Sequence, residues 1–394
     1  MPVIAWKNSL YRLALPFLGL RVHGNAQSNA EIREKDLKSL NSIFRRHHVV
    51  GGCLLLIRGG SLGPCITYGY ARLPHQKAEA DTIFRAASIT KMVTAAGLMM
   101  LVENGLLDLD APVDSYIPYP VRNPLFPKKP IMIKHLLSHT SSIWDGPGYG
   151  QALKSPVPLS ELITDANNFL PYMPGEAFRY SNLSAGMAGS VIEQVTGRSL
   201  EVLMRESVFE PLAMNASYTL KNLPDPNRAA HIYRVLPAKN RRPLFDAKGR
   251  LASADDFFEP LPEYHYLPAA GNLFTDAPSL GRFVCMLASG GSPLLSRESI
   301  RKMQTPAASY GKSAPHATHC LGLVTVTDPT LKTGRLYGHQ GFAYGAANGV
   351  FYEEATGNGF VFLNSGASEA RRGHLAAVNR DLILWALGKE GYLA

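Results

Sequence analysis

Strand-forming text occurs near both ends of this chain and almost nowhere between. Gly51 to Arg58 and Cys65 to Tyr70 are β-rich runs on either side of Gly59-Gly-Ser-Leu-Gly-Pro64, the pattern of a hairpin. Cys320 to Thr327, Arg335 to Phe342, Ala346 to Tyr352 and Phe360 to Asn364 alternate like an antiparallel meander, with turns at Asp328-Pro329 and Glu354 to Gly359. The interval carries helical segments instead: Ser88 to Glu103, Ile133 to Leu137, Leu159 to Asn167, Leu183 to Val195 and Leu200 to Phe209. A chain so arranged predicts an α+β fold. One antiparallel sheet (residues 28–85 and 291–394) is built from both ends, and an all-helical region (86–290) is inserted between its halves.

Terminal helices complete the layers. Ser28-x-x-Glu31 reads as a capping box, followed by Ile32, Leu37, Leu40 and Phe44 near helical spacing. At the other end Leu375, Val378, Leu382 and Trp385 share a helix face suited to packing on a sheet. Asn222 to Pro268 is poor in periodicity and rich in Pro and charge, as functional borders and lids often are. No internal repeat is evident. With 394 residues, 46% of them hydrophobic, the chain is long enough to bury a substantial core, and global disorder is excluded.

Forty Lys and Arg against 31 Asp and Glu give a net charge of +9. That charge is scattered. The densest stretches, Arg45 to His48 and Lys239 to Arg242, lack the run length and interleaved aromatics of a nucleic-acid site, so no nucleic-acid partner is expected. Cys53, Cys65, Cys285 and Cys320 are too few and too spread for a disulfide framework or a zinc site, and read as buried thiols. Lys7 and Arg12, the apolar Leu13 to Leu20 and the small residues Gly24 to Ala26 have the outline of a leader over residues 1–27, interrupted by Arg21 and His23. An extracytoplasmic location is favoured over a cytoplasmic one on that stretch alone. No transmembrane anchor is expected, since Met92 to Val102 is too short to span a bilayer.

Ser88-Ile-Thr-Lys91 opens a helix whose body, Met92 to Val102, is apolar nearly all round and must be buried. The i, i+3 spacing puts the hydroxyl and the amine on one face. As a simple N-cap, Ser88 would want Glu three residues on; a Lys near the positive end of the helix dipole is unfavourable. Burial beside that dipole would lower the amine's pKa and fit it to accept the Ser88 proton.

Two further elements fit the same chemistry. Tyr180-Ser-Asn182 follows the turn Pro174-Gly175 and precedes a helix, so a phenol there could share a proton network with Lys91, and the Asn182 carboxamide could hold a substrate amide or ester. Gly338-His-Gln-Gly341 closes a predicted strand. Glycine would let a substrate lie against its edge, and the N–H groups of Phe342 and Ser88 could bind an oxyanion.

These elements, in this order, resemble the serine β-lactamase and penicillin-recognising superfamily, in particular the branch of class C β-lactamases, HxG-type D-Ala-D-Ala carboxypeptidases and related esterases. The resemblance extends to Phe84 to Ala87, Leu136 to Ser141, Pro174 to Glu176 and Ala269 to Leu273, and covers roughly residues 30 to 390. It implies Ser88 as the acylated nucleophile, Lys91 and Tyr180 as the proton-transfer pair, Asn182 as a substrate contact, and His339 to Gly341 as the third motif. The implied fold is an antiparallel sheet flanked by terminal helices beside an all-helical region, with the site in the cleft between.

Other motifs compete less well. Lys332-Thr-Gly334 spells a common third motif but lies in the turn after Asp328-Pro329, seven residues before His339. Choosing His339 trades a fixed cation for a partly charged one, which disfavours efficient β-lactam hydrolysis; Arg335 or the basic residues of 222–268 are alternative cations. Gly59-x-Ser61-x-Gly63 matches a nucleophile elbow, yet a second strand follows where a helix is needed. His135 and His139 lack the intervening Glu and third ligand of a metal site and read as structural. Gly146 to Gly150 lacks the setting of a phosphate loop, and Trp144, Tyr149 and Tyr172 are candidate cleft-lining aromatics.

The expected activity is therefore a serine hydrolase without metal or cofactor, acting through an acyl-enzyme on a small-molecule or peptide substrate, most like a D-Ala-D-Ala carboxypeptidase or an esterase. The competing readings are a true β-lactamase and a non-catalytic binding protein that keeps the penicillin-binding cleft. A wall-anchoring or lipid-surface role would rest on the +9 charge alone. Substrate and oligomeric state are not encoded in any motif.

Overall fold

The computed structural model describes residues 25–28, 32–152, 157–236, 244–245 and 268–393. Nearly all of the candidate leader, and the basic stretch Lys239 to Arg242, lie outside the described residues.

The sheet joins the two ends of the chain as expected. Its strands run Gln27–Ser28, Ser61–Arg72, Gly51–Arg58, Gly359–Gly366, Ala346–Glu353, Leu336–Ala343, Val324–Val326, Ala317–His319 and Ala308–Ser309, with Gln76–Lys77 on the Ser61–Arg72 strand, ten strands in all. Every pairing is antiparallel, and the halves meet where Cys53 faces Leu363 and Leu55 faces Val361.

Side chains along a strand alternate between faces, and here both faces are covered. Leu54, Leu56, Phe360 and Phe362 enter one core with Leu40, Ile43 and Phe44 of helix Glu34–Arg46 and Val378, Leu382 and Ile383 of helix Ala377–Leu387. Cys53, Leu55, Ile57, Val361 and Leu363 enter the other, with Leu280, Phe283 and Val284 of helix Ala277–Ala288. Two-sided burial explains why these strands are almost continuously apolar. Truncating a fully buried ring such as Phe362 to Ala is expected to cost about 3–5 kcal/mol.

Helix Thr90–Glu103 is buried nearly throughout, from Thr90 to Met99 and at Leu101. It packs against helix Asn182–Thr196 and the short helix Pro268–Gly271. This packing encloses the first turn, and Lys91 with it.

Four expectations need correction. Ser28 is no helix cap: it pairs with Ile66 at the sheet edge, and the helix begins at Glu34 after Arg33, with Glu34 and Asp36 complementing its dipole. The run Cys320 to Thr327 is a turn followed by a strand. Gly322, at φ 78°, lies so close to helix Thr90–Glu103 that an added Cβ would sit 2.3 Å from that of Ala95. Leu375 pairs with Arg372 in a small hairpin, so the last helix starts at Ala377. Only Gly59-Gly60 forms the first hairpin's turn, because Ser61 and Leu62 already pair with Arg58 and Ile57, and a bulge follows between Leu55 and Ile57.

Candidate active site

Ser88 sits in a single 3-10 turn, Ala87–Ile89, leading into helix Thr90–Glu103. Ala87 just before it has φ 53°, a left-handed conformation uncommon for a residue with a Cβ, and such strain persists where surrounding structure fixes it. Thr90 does the fixing. Its hydroxyl donates to the Ala87 carbonyl at 2.5 Å and accepts the Leu273 N–H at 3.1 Å.

Lys91 is buried, and its Nζ has three neighbours: Ala270 O at 2.5 Å, Asn182 Oδ1 at 2.7 Å and Ser88 Oγ at 3.3 Å. Burial drives its pKa from 10.5 down to about 7, aided by the Arg85 charge and opposed by the Asp145 carboxylate. An uncharged amine has two N–H bonds and one lone pair. With two acceptors taking the N–H bonds, the lone pair is left for Ser88.

Tyr180 precedes Ser181, which caps helix Asn182–Thr196 by accepting the Ser184 N–H. Lys91 Nζ lies 5.0 Å from the centre of the Tyr180 ring. Burial raises the phenol's pKa, partly offset by a hydrogen bond with Ser88. The three side chains on which the expected chemistry depends therefore converge.

His339 lies in the Leu336–Ala343 strand, its ring centroid 6.4 Å from that of Tyr180. It is buried, its Nδ1 bonds the Gln340 carbonyl at 2.6 Å, and its Nε2 has no partner among the described residues. Burial, then His319 and Lys91, hold its pKa well below the usual value, so the imidazole is uncharged at neutral pH rather than partly charged. Gly341 lies against Ala86, and Phe342 is the penultimate residue of the strand.

Arg335 is not a site cation, because it pairs at the surface with Glu354. Lys332 ends a turn at the far end of the Leu336–Ala343 strand, on a groove shared with Glu353 and Asn358. Tyr149 is part of the apolar core rather than the cleft. Trp144 donates to Asn167 O at 2.9 Å, and the Arg179 guanidinium lies 5.9 Å from its ring. His135 accepts the Met132 N–H at 3.1 Å, whereas His139, at φ 56°, turns its ring onto Tyr180 with centroids 4.4 Å apart. Among the described residues, no group of three or more His, Cys, Asp or Glu side chains is arranged to hold a metal ion.

Two residues escaped the sequence reading. Asp145 accepts from Asn182 Nδ2 at 2.7 Å, and from Ser181 Oγ and the Leu183 N–H at 3.0 Å each. The available signal was that it is the sole acid between Ser138 and Ser160. Arg371, half of an Arg-Arg pair before the last helix, places its guanidinium 4.1 Å from the centre of the Phe342 ring, and its charge lowers the pKa of Tyr180.

A sheet closed from both chain ends, with an inserted helical region and a Ser, Lys and Tyr meeting at a buried helix tip, is the fold of the serine β-lactamases and penicillin-binding proteins. The sequence matches the family described as Beta-lactamase over residues 31–384, and the chain belongs to that family.

Penicillin-binding protein 4* of Bacillus subtilis (strain 168) is 28% identical over 206 residues, covering 50% of this chain and 44% of its own. Protein flp of Staphylococcus aureus (strain N315) is 27% identical over 190 residues, covering 45% and 36%. The matched part thus spans less than half the length of these relatives. The octameric penicillin-binding protein homologue from Pyrococcus abyssi superposes with a TM-score of 0.68 at 25% identity, over 84% of this chain and 73% of that one. EstCE1, described as a hydrolase with promiscuous acyltransferase activity, gives 0.73 at 23% identity over 89% and 99%. The D-amino acid amidase from Ochrobactrum anthropi SV3 gives 0.67 at 21% identity over 89% and 97%.

Proposed function

We propose that this protein is a serine hydrolase that cleaves an amide or ester by acyl transfer. The observation that carries the reading is the environment of Lys91, a buried amine with a pKa near 7, held by two acceptors so that its third direction faces the Ser88 hydroxyl.

The roles divide by pKa. Lys91 is the better base, because its uncharged form is populated at neutral pH. Tyr180 keeps its proton, and so suits donation to the leaving group. Ser88 attacks the substrate carbonyl while its proton passes to Lys91. The oxyanion rests on the Ser88 and Phe342 N–H groups, the leaving group departs with a proton delivered through Tyr180, and water then releases the acyl group.

The strand geometry supports the Phe342 contribution. Tyr344 and Gly345 both have positive φ, as a two-residue hairpin turn requires, so Ala343 and Ala346 form the closing hydrogen-bonded pair. Alternation in an antiparallel ladder then points the Phe342 N–H away from the partner strand. The Val324–Val326 strand pairs only as far as Gly338, so among the described residues the edge from His339 to Ala343 has no neighbouring strand on that side.

An uncharged His339 favours peptidase, amidase or esterase chemistry over β-lactam hydrolysis, and the exposed Arg371 over the Phe342 ring is a cation for an acidic substrate. Fluorophosphonate labelling tests the central claim: wild type should be labelled at Ser88, and a Ser88→Ala protein that still reacted would end the assignment. Relative rates on p-nitrophenyl acetate, a D-Ala-D-Ala peptide and nitrocefin separate the substrate classes. Tight ligand-induced thermal stabilisation with no turnover of any of them would favour the binding-protein reading instead.

A further inference from the structure

We propose that Asp145 is a positioning residue of this site, fixing the Asn182 carboxamide so that its oxygen, not its nitrogen, faces Lys91. The inference rests on the acyl-transfer reading above.

The hydrogen-bonding partners determine the orientation. A carboxylate only accepts, so the end of Asn182 that meets Asp145 Oδ2 at 2.7 Å must be the NH₂. The oxygen is then directed at Lys91 Nζ, also at 2.7 Å. A flip of Asn182 would set oxygen against carboxylate and NH₂ against amine, two losses at once in a partly buried place.

Asp145 is held in turn by the other contacts it accepts. The Leu183 N–H at 3.0 Å is an otherwise unsatisfied donor of the first turn of helix Asn182–Thr196, where a negative charge is favoured. Ser181 Oγ donates to the same oxygen at 3.0 Å while accepting from the Ser184 N–H, so the cap's hydroxyl proton is committed to Asp145. The helix end thereby locks the carboxylate, the carboxylate locks the amide, and the amide holds the amine.

A plain capping role would explain the Leu183 and Ser181 contacts but not the one to Asn182. Among the described residues, the ionisable groups facing Lys91 from the surrounding elements are Arg85, His139, Asp145, Tyr180, His319 and His339, and Asp145 is the one carboxylate among them. Its position thus also bears on the protonation of Lys91.

The test compares three full-length variants by the p-nitrophenyl acetate acylation rate against pH and by thermal melting. Asp145→Asn places an NH₂ against that of Asn182. The Asn182 amide should turn, present its NH₂ to Lys91 and disfavour the ammonium form. The acylation rate should fall at least about tenfold, and the Lys91 limb should move down by about one pH unit. Ser181→Ala removes cap contacts while leaving the Asn182 to Asp145 bond, so it should lower Tm without moving the limb. The reciprocal swap, Asp145→Asn with Asn182→Asp, again faces an oxygen to Lys91 and should recover much of the rate with the limb displaced upward.

An unmoved limb in Asp145→Asn overturns the proposal, as does a swap that is folded but no more active than the single variant. If Asp145→Asn does not fold, the swap alone decides. Prior fluorophosphonate labelling of wild type at Ser88 separates the two readings. No labelling defeats the hydrolase assignment, whereas labelling with an unmoved limb defeats only the role of Asp145.

Discussion

Gly341 and Ala86 approach so closely that a Cβ built on the glycine would lie 2.1 Å from the Ala86 carbonyl oxygen and 3.2 Å from the Ala87 Cβ. The edge of the sheet is thus pressed directly on the turn that carries Ser88. Gly341→Ala must push the strand off that turn, separating Phe342 from Ser88. Activity on p-nitrophenyl acetate should fall more than tenfold, with stability lowered by about 1–3 kcal/mol, read from denaturant titration. Wild-type activity in this variant would show that the strand edge takes no part.

Lys91 sets the expected pH dependence of acylation. Because its uncharged form is the base and its pKa is about 7, the rate should rise with pH to a plateau, with a midpoint near 7. Stopped-flow measurement of the acylation burst between pH 5 and 9 checks this. Lys91→Met should remove the limb and lower the rate by about 10²–10⁴-fold.

The same amine predicts a stability signature with a definite sign. Its pKa falls from 10.5 to about 7 on folding, so the cost of burying it is fully present below pH 7 and is relieved as pH rises toward 10.5. The Tm difference between Lys91→Met and wild type should shift in favour of wild type over that interval. A pH-independent difference would mean that the amine is not desolvated.

Buried imidazoles act in the same direction, in a lower pH window. His135, His319 and His374 are pushed from 6.5 to about 4 by burial, and His139 and His339 are also held well below the usual value. Depressed histidine pKa values mean that the unfolded chain takes up protons first as pH falls below 6.5. His139, His319 and His339, fully enclosed, should each remove up to about 1.4 kcal/mol per pH unit below 6.5, and the more exposed His135 less because solvent screens it. Melting curves should show Tm dropping steeply between pH 6.5 and 4, a fall that Lys91→Met shares with wild type because the lysine is charged in both states there.

Arg371 is expected to contribute to selectivity. If its guanidinium above the Phe342 ring receives a substrate carboxylate, Arg371→Gln should raise KM for a D-Ala-D-Ala peptide at least about tenfold and change p-nitrophenyl acetate hydrolysis much less. Equal effects on both substrates would assign it a structural role.

Local chemistry made much of this protein legible from its sequence. Apolar runs at both ends, a helix too apolar to be exposed, and a Ser and a Lys one helical turn apart follow from neighbours along the chain, and so predicted the sheet, the inserted helices and Ser88 with Lys91. The third dimension decided what depends on distant partners. Ser28 joined a strand because Ile66 was there to pair with it. His339 lost its charge because the closed fold buries it, with His319 and Lys91 adding to the effect. Asp145 and Arg371 carry no motif and gain meaning only when folding sets them against Asn182 and Phe342. Periodicity and spacing report covalent neighbourhood, whereas burial and electrostatic environment are fixed only when segments far apart in the chain pack together.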